Sequence, residues 1–560
     1  MATTFNLPMK KWYFDQTTQW TLDYPPLFAA FEFFLALVAS ILNLDDALEL
    51  TENSAVRTEQ IIVYQKTTVI ISDLIYYYAI YKLCTTLDPF LAQKVTNGKE
   101  NQPLMGKSET VTTKKERKSL KQSQDQGLVS AFYRPNATTC MALLLIFQPG
   151  LLMVDHIHFQ YNGFLTGVLL LSISSITAGR YYMGAFWFTV LLNLKHIYLY
   201  YAPAVGMYLL ASYVLVRDHK QNILLSSIRR SVNLALVVLM VLGVSLAPYA
   251  DLKTFQQIIS RLFPFRRGLT HAYWAPNFWS LYNVADKVLA TVFRDSLIVK
   301  FDLDSISTKV VSSTSGLVQE YKHQYLPSIE PIVTFYLVAI FLLPQVIKHL
   351  TQIGIRSHEV LLKSLVLAAF TSFMFGWHVH EKAIILVLIP MIPVCMIDSK
   401  MTSTFLRLSL AGTYSLFPLL YQPAEYLVKS ALLIGYYTYS NDVTSSFSRS
   451  MNIEIKKQQN NQQTRWRTGI ILSKLMTIFD KIFVLALLSS EIYVSLLHGR
   501  LNYEWNPLLK LNRFAFLPLM LTSSLSAVGI VVSYLEIYYD FVFGAREPAA
   551  TAADEVVDDA

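Results

Sequence analysis

Charge is what this chain has least of. Only 15% of its 560 residues are Asp, Glu, Lys or Arg, against roughly 25% in an ordinary soluble domain. That deficit excludes the string of soluble domains that length alone would suggest. Cysteine is nearly absent as well. Cys84, Cys140 and Cys395 stand far apart, in or beside apolar runs, with no Cys-x-x-Cys or Cys/His spacing. A disulfide framework and a structural zinc module are thereby excluded. Met1 to Trp20 holds no apolar core of the kind a cleavable secretory leader carries. What the chain has instead is apolar bulk: 53% hydrophobic, 13% aromatic and a mean hydropathy of +0.36. Windows of about 18–20 residues with almost no charge recur, the length that crosses a ~30 Å hydrocarbon core. The chain reads as an all-α polytopic membrane protein.

Thirteen spanning segments are predicted, near 69–87, 129–153, 163–179, 181–194, 197–216, 231–249, 331–348, 359–376, 383–398, 403–421, 424–439, 470–489 and 515–541. A further apolar run, 26–43, contains Glu32 and lies between acidic stretches. It is read as an amphipathic or re-entrant helix.

The net charge of +8 comes from 47 basic and 39 acidic residues. In a membrane protein it is first a topology signal, because Lys and Arg accumulate in cytosolic loops; no nucleic-acid partner is expected. The stretch 94–127 carries Lys94, Lys99, Lys107, Lys114, Lys115, Arg117, Lys118 and Lys121 among Gly, Ser, Gln and Thr. This composition predicts a disordered cytosolic segment. The basic loops at Arg217–Arg230, Lys348–Arg356, Lys400 and 441–468 agree with the same parity. The expected organisation is a lumenal 1–68, a transmembrane helix at 69–96 and a cytosolic insertion at 97–127. Transmembrane helices at 128–250 lead to a long lumenal loop at 251–330. Helices at 331–440, a cytosolic loop at 441–468, helices at 469–541 and an acidic cytosolic tail at 542–560 complete it.

With that parity, the polar clusters fall on one side of the membrane. They are Trp20-Thr-Leu-Asp23-Tyr24-Pro25-Pro26, Asp155-His156-Ile-His158-Phe159-Gln160-Tyr161-Asn162, Lys195-His196, Arg266-Arg267, His271-Ala-Tyr273-Trp274-Ala-Pro276-Asn277, and Trp377-His378-Val-His380-Glu381-Lys382. Ionisable groups at membrane depth are costly and are functional candidates by default, so clusters far apart in sequence but on one side predict a single site. Each also has a plainer reading. His156 and His158 end a span and can be interfacial. Asp23 can cap a turn ahead of Pro25. Tyr273 and Trp274 can belong to an aromatic belt, and Arg266 and Arg267 can snorkel. His378-x-His380 does not share a helical face and the His-Glu-x-x-His spacing is absent, so no metal is expected.

Trp-Thr-Leu-Asp-Tyr-Pro-Pro at 20–26, Val69-Ile-Ile-Ser-Asp73, His158-Phe-Gln-Tyr-Asn162, Tyr201-Ala-Pro203, Arg261-Leu-Phe-Pro-Phe265 and Val379-His-Glu-Lys382 closely resemble the dolichyl-phosphate-glucose-dependent α-1,3-glucosyltransferases of the endoplasmic reticulum. The resemblance runs from about residue 5 to the last span, with the motifs in order. Of two sister branches, the stretch Arg267–Trp279 resembles the one that adds the second glucose to the lipid-linked N-glycan precursor. The sister adding the first glucose, or a truncated inactive form, remains the alternative.

The resemblance implies a GT-C fold, a lumenal active site and an endoplasmic reticulum membrane location. It also implies a dolichyl-phosphate-glucose donor, a once-glucosylated dolichyl-diphosphate oligosaccharide acceptor and no cofactor. Inversion would proceed by a single displacement. Lys195, Arg266, Arg267, His378, His380, Glu381 and Lys382 would bind donor phosphate and sugar. Tyr24, Asp155, His156, His158, Gln160, Tyr161, Asn162, His271, Tyr273, Trp274 and Asn277 would bind acceptor or sugar. Members of the family carry a further N-terminal span and an Asp-Phe-Glu-x-x-Arg stretch whose Asp is the expected base. Neither is found in this sequence, so the chain is expected to be truncated, with fourteen spans in the intact form. Asp23 is the acid left for the role of base.

A transporter or lipid flippase is the competing class. Against it, no inverted repeat and no paired Gly/Pro-broken helices are visible.

Overall fold

The computed structural model describes residues 1–17, 21–50, 58–100, 137–217, 222–263, 268–271, 273–293, 323–420, 422, 424–458, 466–498 and 517–544. Among them the secondary structure is helical, apart from two isolated β-bridges, Thr270 to Val379 and Trp274 to His380. The principal helices are α1 (Pro26–Ile41), α2 (Glu59–Glu100), α3 (Ala137–Ile157), α4 (Asn162–Thr177), α5 (Tyr181–Leu194), α6 (His196–Val214), α7 (Ile223–Leu246) and α8 (Leu252–Leu262). They continue as α9 (Phe278–Val292), α10 (Pro331–Leu350), α11 (His358–Phe375), α12 (Ile385–Ile397), α13 (Thr402–Tyr414), α14 (Glu425–Gln458), α15 (Trp466–Ile492) and α16 (Leu517–Phe543).

Six stretches among the described residues are long and apolar enough to cross a membrane: α3, α6, the run Ile223–Tyr249 that contains α7, α10, α11 and α16. Helices α1, α4 and α5 are shorter and apolar. Helix α2 runs on to Glu100 and α14 to Gln458, beyond the apolar stretches that mark their spans. From Tyr436 to Gln458 the sequence offers no Gly or Pro to stop a helix. The long segment 251–330 contains α8 and α9. Residues 101–127 lie outside the described residues.

Burial is uneven, and the unevenness locates the centre. Every residue of α12 is buried, as is α11 from Leu361 to Phe375. A helix apolar all round belongs inside a larger helical array, and these two form the hub. Helix α7 is the opposite case: Leu225, Val232, Leu236, Leu239 and Val244 are all exposed. Around a ~30 Å apolar slab, such a face meets lipid. Cys84, Cys140 and Cys395 are buried free thiols.

Candidate active site

The site is built where several helices end together. Helix α3 supplies its first part. Pro149 stands in the first turn of a new helical segment, where its missing N–H costs nothing, and Gln148 Oε1 accepts from the Leu151 N–H at 2.8 Å. The last turn, Leu152–Ile157, is a π-turn; its extra residue rotates the chain beyond it, a device frequent at functional sites. Asp155 is turned inward, 2% exposed. Its Oδ1 accepts from Asn162 Nδ2 at 2.8 Å, and its Oδ2 from the Gly163 N–H at 2.5 Å. Asn162 passes the connection on: its Oδ1 accepts from Lys195 Nζ at 2.8 Å, and its amide also donates to Gln160 Oε1 at 3.0 Å.

His156, beside Asp155, pairs through Nε2 with Asp73 Oδ2 of α2 at 2.9 Å. Asp73 is 5% exposed, and its Oδ1 accepts no hydrogen bond among the described residues. Gly163 is required between these acids: a Cβ there would lie 2.3 Å from Asp73 Oδ1 and 3.4 Å from Asp155 Oδ2.

The second part is a clamp between the segments 268–277 and 376–382. His378 N–H donates to the Leu269 carbonyl at 2.9 Å and its Nδ1–H to the Gly268 carbonyl at 2.7 Å. Trp279 Nε1–H donates to the Gly376 carbonyl at 3.1 Å, and Asn277 Nδ2 to the Phe373 carbonyl at 2.9 Å. The clamp brings His271 onto His380, ring centroids 3.9 Å apart, with His271 Nδ1 3.4 Å from Glu381 Oε2. Two of the three non-glycine residues with positive φ among those described, Phe159 (+68°) and His378 (+51°), lie in these two parts. Such strain gathers at functional sites and is held by surrounding structure.

Between the two parts lies a cavity of about 150 Å³, lined by Tyr24, Gln160, Asn162, Lys195, Ile197, Tyr198, His380, Lys382, Ala383, Ile385 and Leu386. Two ammonium groups therefore face one small space. Burial, with Lys382 adding its repulsion, pulls Lys195 down to about 8, and burial also lowers Lys382. His380 is held well below its ordinary range, by burial first and then by His271, His378 and Lys382. It is therefore neutral near pH 7. His158 is exposed.

Other expected site residues take structural positions. Tyr161 packs its ring against Phe28, Phe31 and Phe159 and shares a 2.7 Å hydrogen bond with Thr68. Trp274, 4% exposed, lies under Lys287 (5.0 Å from the ring) and its carbonyl accepts from Ser523. Asn277 is the N-cap of α9, accepting from the Trp279 N–H at 3.0 Å. All three were expected to bind acceptor or sugar, and these are the contacts they make within the protein. Tyr273 is exposed and stacks on His271. Asp23 accepts from Thr21 Oγ1 at 2.9 Å and precedes the cavity residue Tyr24. Arg266 and Arg267 lie outside the described residues.

For a metal, the one group among the described residues with ligand atoms mutually within 4.8 Å is His271, His380 and Glu381. Glu381 is 2% exposed and neither of its oxygens accepts a hydrogen bond. His271 Nδ1, 3.4 Å from its Oε2, is the nearest basic nitrogen.

Asp73 was not among the expected site residues. Its signal was available: a carboxylate inside an otherwise apolar span.

The fold and the site together define a polytopic helical membrane protein with a cationic, amide-lined cavity at one end of its helices. The ALG6, ALG8 glycosyltransferase family matches residues 1–537. The dolichyl pyrophosphate Glc1Man9GlcNAc2 alpha-1,3-glucosyltransferase of Mus musculus is 36% identical over 548 residues, covering 97% of this chain and 90% of its own length. The proteins of the same name from Dictyostelium discoideum and Arabidopsis thaliana are each 35% identical, over 96% of this chain and 88% and 90% of their own. The chain belongs to the ALG6, ALG8 glycosyltransferase family.

Proposed function

We propose that this chain transfers glucose from dolichyl-phosphate-β-D-glucose, in α-1,3 linkage, to Glc1Man9GlcNAc2 carried on dolichyl diphosphate, at the lumenal face of the endoplasmic reticulum membrane and on a GT-C fold. The observation that carries the reading is the pair Lys195 and Lys382 in one cavity with Asn162 and Gln160, in a chain whose relatives bear that activity in their names.

A β-linked donor and an α-linked product require inversion. The 3-hydroxyl oxygen of the acceptor's terminal glucose forms a bond to C1 of the donor glucose as the C1–O bond to phosphate breaks. The electron pair leaves on the phosphate, and the hydroxyl proton passes to a carboxylate base. Asp23, next to Tyr24, is the candidate base within this sequence. Negative charge builds on the departing phosphate, and preorganised cations there are worth most where water is excluded. Lys195 and Lys382 supply them, and Asp155 acts through Asn162 to aim Lys195. Two ammonium groups meet the charge requirement without a metal.

The deciding measurement offers membranes containing this chain either Man9GlcNAc2- or Glc1Man9GlcNAc2-diphosphodolichol with labelled donor. Conversion of the second to a twice-glucosylated product is expected. Glucosylation of the first alone would assign the sister reaction, and no transfer to either would overturn the reading.

The pH profile tests the lysines separately. Burial has lowered the Lys195 pKa to about 8, so its positive charge is present below that pH and is lost as pH rises through it. Donor kcat/KM is expected to fall above about pH 8, approaching tenfold per pH unit. In Lys195→Arg, which stays charged, that limb moves upward. An identical limb in the variant would remove Lys195 from the titration.

A further inference from the structure

The proposed reaction brings together two lipids that both carry negative charge, and the cavity serves only one of them. The donor's phosphate is the leaving group and belongs beside Lys195 and Lys382. The acceptor's diphosphate lies at the other end of a long glycan, at the membrane surface, and needs a cationic seat of its own.

A second concave region exists. It is a groove of about 510 Å³ between the 3-10 turn Met9–Phe14 and the start of α8, lined by Leu7, Lys10, Lys11, Phe14 and Lys253 together with Asp15, Gln16 and Thr254. Its place in the fold fixes its depth. Helix α7 is a lipid-exposed span ending at Leu246, and α8 begins six residues later, so the groove sits at the membrane surface. The inner face of α8 (Thr254, Ile258, Leu262) is buried, yet Leu252, Phe255 and Ile259 are exposed beside it. A helix with a second apolar stripe flanked by lysine is built to lie against lipid.

The charge in the groove is also biased. Lys10, Lys11 and Lys253 are all exposed. Both nearby carboxylates are engaged in local turns, though Asp251 also feels the charge of Lys10, and Lys253 lies over the Phe14 ring at 5.9 Å. Asp15 accepts from Thr17 N–H and Oγ1 and from Thr3 Oγ1, and Asp251 caps α8 by accepting from the Thr254 N–H. Among the described residues no carboxylate makes a salt bridge with any of the three lysines.

Finally, the groove is mechanically joined to the cavity. Tyr13, between Trp12 and the groove residue Phe14, is buried against Tyr249 and donates its hydroxyl to the Tyr24 carbonyl at 2.8 Å. Gln257 and Arg261 of α8 donate to the Tyr13 carbonyl at 3.1 and 3.3 Å. Tyr24 lines the cavity.

We propose that the groove between Met9–Phe14 and α8 is the seat of the acceptor's lipid diphosphate, with Lys10, Lys11 and Lys253 neutralising it and the exposed stripe of α8 receiving the first part of its polyprenyl chain. This inference rests on the acceptor carrying a lipid diphosphate, as the proposed function states.

The test uses the full chain in phosphatidylcholine nanodiscs and the triple variant K10Q/K11Q/K253Q. The acceptor KM is expected to rise about tenfold or more, since each lysine at a membrane surface contributes several-fold. The kcat and the donor KM stay within about twofold, and the triple arginine variant keeps the wild-type acceptor KM. Equal changes in donor and acceptor KM, or an unchanged acceptor KM, overturn the proposal. Binding of geranylgeranyl diphosphate to the same nanodiscs keeps this separate from the proposed reaction. Even where no transfer is seen, the wild type should bind it about tenfold more tightly than the triple variant. Loss of that difference when phosphatidylserine is included would show a site for membrane headgroups instead, and would overturn the assignment.

Discussion

Replacing Lys382 by methionine is expected to lower the rate of glucose transfer by about 10²–10³-fold while leaving the acceptor KM close to wild type. Removing one preorganised donor from a site where charge develops costs roughly 2.7–4 kcal/mol of transition-state stabilisation. Methionine keeps much of the apolar stem, so the cavity wall formed with Ala383 and Ile385 stays filled. The two lysines are not independent. Each lies in a desolvated space, and the positive charge of Lys382 is the second cause, after burial, of the lowered Lys195 pKa. In Lys382→Met the alkaline limb assigned to Lys195 should therefore move up. The double variant with Lys195→Met should lose less than the product of the single losses, since residues acting on one phosphate do not contribute additively. Steady-state kinetics across pH on the two single variants and the double variant decide this. A loss confined to acceptor KM would move Lys382 from the leaving group to the acceptor.

Much of the site was legible because the bilayer makes polar residues conspicuous. Asp155, Asn162, Lys195 and Lys382 stand at the ends of apolar runs, and the parity of those runs puts them at the same end, where the structure joins them. What was not legible are the choices that depend on a distant partner. His271 meets His380 across more than a hundred residues of chain, through a clamp whose acceptors are all backbone carbonyls; a carbonyl leaves no trace in side-chain identity at its own position. Trp274 reads as an aromatic of the belt or of the sugar site, and nothing in its own segment shows that Ser523 of α16 reaches its carbonyl. Asn277 is different. An Asn directly before Phe-Trp-Ser is an N-cap signal, and its motif context drew it toward sugar binding instead. The helices were legible at their apolar cores and less so at their ends, because α14 continues beyond the run that meets lipid. Apolarity marks the slab, not where the helix stops.

The largest effect on stability is expected at the opposite end of the helices, in Lys363→Met. Lys363, on α11, directs one ammonium group at three carboxylates: Glu359 at 2.9 Å, Asp398 beyond α12 at 2.6 Å, and Asp540 of α16 at 2.7 Å. The lysine side chain is 11% exposed and the acids between 13% and 20%, so water screens them poorly. Deleting the cation leaves three acids facing one another, and losing one member of a buried ion pair costs about 3–5 kcal/mol. The reverse substitution should behave differently. The cluster already holds more negative than positive charge, so Asp540→Asn alone should cost little, and placed on Lys363→Met it should recover part of the loss by removing one repelling carboxylate. Arg407 makes the neighbouring knot, pairing with Asp480 of α15 at 2.5 Å and Glu536 of α16 at 2.7 Å from a side chain 1% exposed; it supplies the comparison. Arg407→Lys keeps the charge but not the fork that meets Asp480 through both Nε and Nη2, so it should fall between wild type and Lys363→Met. Thermal unfolding of the purified variants in one detergent orders them directly. An unchanged midpoint in Lys363→Met, or no recovery in the double variant, would mean that packing around α11, rather than this charge balance, holds that end of the helices together.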